Sequence, residues 1–142
     1  MEQIKNIRDC LYNDEVQILF RDVVGYPSPE KISLVIKTYT FSKKYFIFGY
    51  FNPNLQGFIG GLIKRNYIII NHIVVNKNKR KKGVGKKLIK FVFCNFGKTF
   101  VYAETDTDSI GFYKKLGFKC MKYKAKFANR YKCIKLNYKF KR

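Results

Sequence analysis

Apolar positions along the chain change period near residue 45. Before it they recur at helical spacing: Leu11, Val16, Ile18, Leu19 and Val23 gather on one side of a helix, after a short opening strand that takes in Ile4 and Ile7. The segment Gly25-Tyr26-Pro27-Ser28-Pro29 interrupts this pattern. Ser28 followed by Pro29 has the form of an N-cap and a first-turn proline, which predicts a second helix from Pro29 to Thr40. From Tyr45 the spacing is that of strands. Tyr45 to Tyr50, Gly57 to Ile63 and Tyr67 to Val75 carry aromatic and β-branched residues, with turn chemistry at Phe51-Asn52-Pro53-Asn54 and Lys64-Arg65-Asn66, and so predict a three-stranded antiparallel meander. Helical spacing returns from Gly83 to roughly Asn95, with Val84, Leu88, Phe91 and Val92 on the inner face. A strand from Thr99 to Glu104, a short helix from about Thr107 to Leu116, and strands from Phe118 to Lys124 and Arg130 to Phe140 complete the pattern. A right-handed crossover between Tyr67 and Glu104 makes its two strands parallel neighbours in an otherwise antiparallel sheet. The predicted class is α/β, in the mixed-sheet α+β sense, with a turn at the strand end where open sheets hold ligands.

Composition narrows the partners. A chain of 142 residues, 46% of them hydrophobic, suits one domain over 1–142 with a real core. No stretch approaches the ~20 apolar residues of a membrane span, and the start, Met1-Glu2-Gln3-Ile4-Lys5-Asn6, lacks the apolar block of a signal peptide. The expectation is therefore cytoplasmic, with no membrane partner. Cys10, Cys94, Cys120 and Cys133 lie far apart, with one histidine, His72, to join them, so no metal site is expected. The net charge of +21 suits nucleic acid or another polyanion. Yet the lysines form no focused stripe, and a plain solvated surface accounts for them equally well.

The chemistry begins at Arg80-Lys81-Lys82-Gly83-Val84-Gly85, which lies between a predicted strand and a predicted helix. Such a turn offers backbone N–H groups and the positive end of a helix dipole to a phosphate or pyrophosphate. A second segment about twenty residues on, Asp106 to Phe118, sets a tyrosine beside whatever the first one holds.

The segment His72 to Ile89, with Val75 five residues before Arg80, resembles the acetyl-CoA motif of the GNAT acetyltransferases, which move an acyl group from acetyl-CoA to an amine. Ala103 to Phe118 resembles the family's later motif, ending in F-Y-x-K-x-G-F; the first sixty residues follow only the order of elements. The resemblance implies a GNAT fold of about six to seven mostly antiparallel strands, a splayed parallel central pair and about four helices. It implies that Ile73, Val74 and Val75 pair with the pantetheine arm and that one amide there polarises the thioester carbonyl. It also implies that Arg80, Lys81, Lys82, Gly83, Val84, Gly85 and Lys86 surround the pyrophosphate, with Ser109, Phe112 and Tyr113 completing the cofactor site. Lys77, Lys79 and Lys87 add to the positive field. Tyr113 is then the general acid that protonates the departing thiolate. Two departures stand out: Asp106 replaces the family's usual Asn and Ser109 its usual Ala. A carboxylate beside phosphates is unfavourable, so Asp106 is expected to cap the helix that follows.

The implied function is direct transfer of acetyl from acetyl-CoA to a primary amine of an unidentified small-molecule or peptide acceptor. The alternatives are a basic nucleic-acid-binding module and a GNAT-like protein that binds CoA without catalysis. For the base that takes the amine's proton, Glu104 is one candidate, His72 another, and a water chain a third. Strand alternation sets His72 on the face of Val74, opposite Asn71, Ile73 and Val75, unless a bulge intervenes. The family's acceptor pocket points to Tyr26, Pro27, Ser28 and Ala128 to Tyr131 as walls. Like-charge repulsion argues against a polycationic acceptor. The fold's habit of pairing through sheet edges or terminal strands leaves a homodimer open.

Overall fold

The computed structural model describes residues 1–24, 27–124, 126 and 129–137. Seven strands form one mixed sheet: β1 Gln3–Asn6, β2 Tyr45–Phe51, β3 Leu55–Ile63, β4 Tyr67–Val75, β5 Phe100–Thr105, β6 Lys119–Lys124 and β7 Asn129–Leu136. Their order is β1-β2-β3-β4-β5-β7-β6, and only β4 and β5 run parallel. The last strand therefore inserts between β5 and its own hairpin partner, which periodicity could not foretell.

The helices are α1 Asp14–Val23, α2 Pro29–Phe41, α3 Val84–Phe96 and α4 Ile110–Lys115. Ser28 caps α2 as its sequence form predicts, its hydroxyl accepting from the Lys31 N–H at 3.1 Å. On α1 the buried positions are Val16, Leu19 and Phe20, at i, i+3 and i+4, while Ile18 is 51% exposed. The expectation for Ile18 fails because it lies two residues, about 200° of helix rotation, from Val16. On α3, Ile89 joins Val84, Leu88 and Val92 inside; Phe91 is only half-buried and packs edgewise on Phe48. The helix expected from Thr107 starts at Ile110, since the residues before it form a turn around Asp106. The last predicted strand is described as far as Leu136; its expected end at Phe140 lies outside the described residues.

Two hydrophobic clusters cover opposite faces of the sheet. One packs α1 and α2, through Val16, Leu19, Phe20, Ile32, Ile36 and Tyr39, on Ile47, Phe58 and Val74. The other packs α3 and α4, through Val84, Leu88, Val92 and Tyr113, on Ile59, Ile68, Ile70, Val101 and Ala103. A bulge decides which β4 residues face which cluster. Gly60 pairs with His72 and Gly61 with Ile70, so Asn71 has no partner on β3. Ile68 and Ile70 face α3; beyond the bulge Ile73 and Val75 do so, while His72 and Val74 turn to α1 and α2. No described helix is long and apolar enough to cross a membrane.

Candidate active site

The two motif segments meet at a gap in the sheet. β4 and β5 pair at four positions, Tyr67 to Ile70 with Phe100 to Ala103. Beyond Ile70 they part: Asn71 to Val75 have no partner on β5, although β3 still follows β4 as far as Val75. One edge of β4 is thus left open beside the bulge, with N–H and C=O groups that a sheet would ordinarily satisfy.

At the end of that edge the chain turns through Lys81 (φ 64°) and Gly83 (φ 83°), both left-handed. Successive N–H groups bent this way line a concavity that suits an anion. Gly83 has open space around the position of a Cβ and is the N-cap of α3, without a side-chain capping bond or an acidic residue in the first turn. The first-turn amides of α3 therefore have no side-chain capping partner. Arg80 straps the turn to its strand through Nε–H to the Val75 carbonyl, at 3.0 Å. Lys81, Lys82 and Lys86 are exposed around it. Lys87 is not free to add its charge, because its ammonium donates to Glu2 at 2.6 Å.

Gly85 has a different task. A Cβ there would lie 2.7 and 2.8 Å from the Phe112 ring. The missing side chain lets α4 pack against the start of α3, so the glycine-containing turn and the F-Y pair form one unit. Asp106 does not cap α4 as expected: the N-cap is Ser109, without a side-chain bond, and the Asp106 carboxylate accepts from the Ser109 N–H at 2.9 Å within the turn before the helix, where Ser109 is exposed.

Next to Phe112, Tyr113 is only 6% exposed, its ring held edgewise between Phe112 and Phe118 at 5.2 Å from each. No hydrogen bond joins its hydroxyl to another described residue, and no buried side-chain oxygen among the described residues lacks a partner, so that oxygen touches solvent. Burial holds the hydroxyl well above the usual tyrosine range, so it keeps its proton at neutral pH.

The opposite face of the gap carries the other titratable groups. Glu104 is the first β5 residue past the last β4 pair. Its carboxylate accepts from the Tyr123 hydroxyl and, at 2.8 Å, from the Tyr102 hydroxyl. Those two bonds, Tyr123 first, hold it below the usual carboxylate range. Across the gap His72 sits on the α1/α2 face of β4, with Nδ1 2.6 Å from the Tyr39 hydroxyl. Burial pushes its pKa down to about 4, so the ring is neutral in ordinary conditions. The Tyr39 hydroxyl lies over Gly60, where a Cβ would be 2.5 Å away.

Three partners escaped the sequence reading. Tyr102 shares a strand face with Glu104 at i−2, a signal that period two carries. Tyr39 resembles any buried helix position, and Tyr123 comes close only through the strand order. Of the expected pocket walls, Tyr26 and Ala128 lie outside the described residues, whereas Pro27 and Ser28 line a cavity of about 460 Å³ between α1 and α2. Arg130 and Tyr131 are half-buried at the start of β7. Among the described residues no group of three or more His, Cys, Asp or Glu is placed to hold a metal.

A model of the acetyltransferase (GNAT) family matches residues 8–118. Solved structures agree with the fold. An aminoglycoside 6'-N-acetyltransferase complexed with coenzyme A superposes with a TM-score of 0.76 at 15% identity, over 96% of each chain. The aminoglycoside 6'-acetyltransferase type Ii gives 0.75 at 20% identity over 94% of this chain and 96% of that one. The NAA60 of Arabidopsis thaliana, in complex with a bisubstrate analogue, gives 0.72 at 17% identity over 96% and 98%. A search of curated protein sequences finds no match.

Proposed function

Because the chain belongs to the acetyltransferase (GNAT) family, we propose that residues 1–142 act as one N-acetyltransferase domain, moving acetyl directly from acetyl-CoA to a primary amine. The observation that carries this reading is an open β4 edge that ends at the left-handed turn, with the F-Y pair of α4 held against that turn by the Gly85–Phe112 contact.

The left-handed turn and first-turn amides fit a pyrophosphate, and the open edge from Ile73 to Val75 fits the amide groups of a pantetheine arm. Lys81, Lys82 and Lys86 supply the field that draws in so anionic a cosubstrate. Ser109, exposed at the start of α4, and Phe112, against Gly85, lie beside the arm. A β4 amide next to the bulge polarises the thioester carbonyl. The amine's lone pair attacks the carbonyl carbon, the carbon–sulfur bond breaks, and Tyr113 gives its proton to the sulfur. On the other face Glu104, a carboxylate held ionised, attracts the incoming ammonium, whose first proton passes to water before the attack. The second nitrogen proton is lost to solvent as the amide forms, and Tyr113 takes a proton back from solvent.

Acetyl-CoA at micromolar concentration should raise the melting temperature, and CoA should be released with at least one member of an amine panel. Salt-sensitive RNA binding without either result would replace this reading by the nucleic-acid one. A thermal shift without release would leave CoA binding alone.

A further inference from the structure

We propose that Cys120 and Cys133 form a modification site: a cross-strand dithiol that a hydroperoxide closes into an intrachain disulfide, slowing acetyl transfer by displacing Tyr113. The disulfide stands on the structure alone, whereas its kinetic effect rests on the acetyltransferase reading.

The two cysteines lie apart in sequence and meet across a hairpin. β6 and β7 pair so that Cys120 lies directly opposite Cys133. Opposite residues of an antiparallel pair have Cα atoms roughly 4.5–5.5 Å apart, inside the range of roughly 4.4–6.8 Å that a disulfide spans. Their side chains share a face: Cys133 belongs to the core that holds Tyr113, and Cys120 packs against that core. Cys10, by contrast, packs against the other core, and Cys94 is exposed on α3.

Access sets the order of events. Cys133 is 0% exposed, while Cys120 is half-buried on β6, the outermost strand of the sheet. Burial first, and the adjoining Cys120 thiol second, push the Cys133 thiol up to about 12, so it keeps its proton at neutral pH. The oxidant therefore meets Cys120. Its sulfur attacks one peroxide oxygen, the oxygen–oxygen bond breaks, and a sulfenic acid forms as water or an alcohol leaves with the thiol proton. The Cys133 sulfur then displaces hydroxide from the Cys120 sulfur, and its own proton leaves with that hydroxide as water. Two thiols have lost two electrons and two protons, all taken up by the peroxide. Closing the bridge draws the β carbons together by about 1 Å, from roughly 4.5–5.5 Å to roughly 3.5–4.5 Å. Phe118 carries that shift to Tyr113. The Cys120 thiol is directed at the Phe118 carbonyl at 4.0 Å, the Phe118 N–H donates to the Tyr113 carbonyl at 3.1 Å, and the Phe118 and Tyr113 rings are 5.2 Å apart.

Mass spectrometry and turnover test the two halves separately. Hydrogen peroxide should take two hydrogen masses from the intact chain and join the tryptic peptides Cys120–Lys122 and Cys133–Lys135, and dithiothreitol should reverse both changes. Over the same exposure kcat for CoA release should fall by about tenfold or more and recover on reduction, since a displacement of ~1 Å at a reacting group is enough for such a loss. Cys120→Ser should match the reduced wild type in kcat and keep that rate in peroxide. If the variant fails to fold, phenylarsine oxide probes the native chain. Its arsenic should bind both sulfurs with loss of water, and should come off with dimercaptopropanol but not with mercaptoethanol. Cys120 oxidised to a sulfinic acid with Cys133 still a thiol, a bridge through Cys10 or Cys94 instead, an arsenical that mercaptoethanol strips, or full kcat in the bridged protein would overturn the proposal. Absence of CoA release from the reduced protein with every amine would overturn the acetyltransferase reading and the kinetic effect with it, while joined peptides would still establish the disulfide.

Discussion

At the scale of the residue, two side chains carry distinct expectations. Tyr113 is buried, and that burial holds its hydroxyl above the usual tyrosine range, so it keeps its proton at neutral pH. Tyr113→Phe should therefore lower kcat by about a hundredfold or more, the range of a lost general acid, and leave the KM for acetyl-CoA nearly unchanged, which steady-state kinetics will separate. His72 makes stability depend on pH. Its folded pKa of about 4 lies below the ordinary 6.5, so the unfolded chain binds a proton that the folded one refuses. The contribution is complete above pH ~6.5 and is lost as the pH falls toward about 4, amounting to at most about 3 kcal/mol at 1.36 kcal/mol per unit. Denaturant melts across this window should slope for the wild type and flatten for His72→Gln. Residue identity in the two motifs was legible because glycine and tyrosine are chemically specific there. The Tyr39 partner was not, since a phenol in a helix stripe has the pattern of any core aromatic.

At the scale of the element, two glycines three elements from the C-terminal hairpin do different work. Gly83 has a left-handed φ and open space, so Gly83→Ala meets only backbone strain, about 1–2 kcal/mol. Gly85→Ala drives a methyl group into Phe112 and must push α4 away from α3. The expected cost is about 1–3 kcal/mol in stability, together with a kcat loss larger than that of Gly83→Ala because Tyr113 moves with α4. Parallel melts and rate measurements on the two variants check the contrast. Most elements were readable from period alone, because amphipathic faces betray themselves in the spacing of apolar residues. The bulge at Asn71 was not, since it depends on glycines in β3: a Cβ on Gly61 would lie 1.9 Å from the Ile69 carbonyl. The insertion of β7 between β5 and β6 is a pairing choice that no local pattern records.

At the scale of the whole molecule, the gap lies between two cores, with Tyr113 packed in the one under α3 and α4 and His72 against the one under α1 and α2. The chain carries 30 basic against 9 acidic residues, with Lys81, Lys82 and Lys86 exposed around the turn. Capture of acetyl-CoA should therefore weaken, and its KM rise several-fold, as ionic strength goes from about 0.01 M to about 1 M and the screening length falls from roughly 30 to 3 Å. The open edge should also be visible in hydrogen exchange: amides between Asn71 and Val75 that exchange rapidly in the free protein should slow when acetyl-CoA occupies the gap. Unchanged exchange there would argue against pairing with the pantetheine. A raw strand edge on a protein's periphery invites other chains to pair with it and build aggregates. Here the raw edge of β4 is sunk in the middle of the sheet, roofed by α1 and α2 on one side and α3 on the other. The protein can thus keep an unsatisfied strand on permanent offer to a slender ligand while denying it to a neighbouring polypeptide.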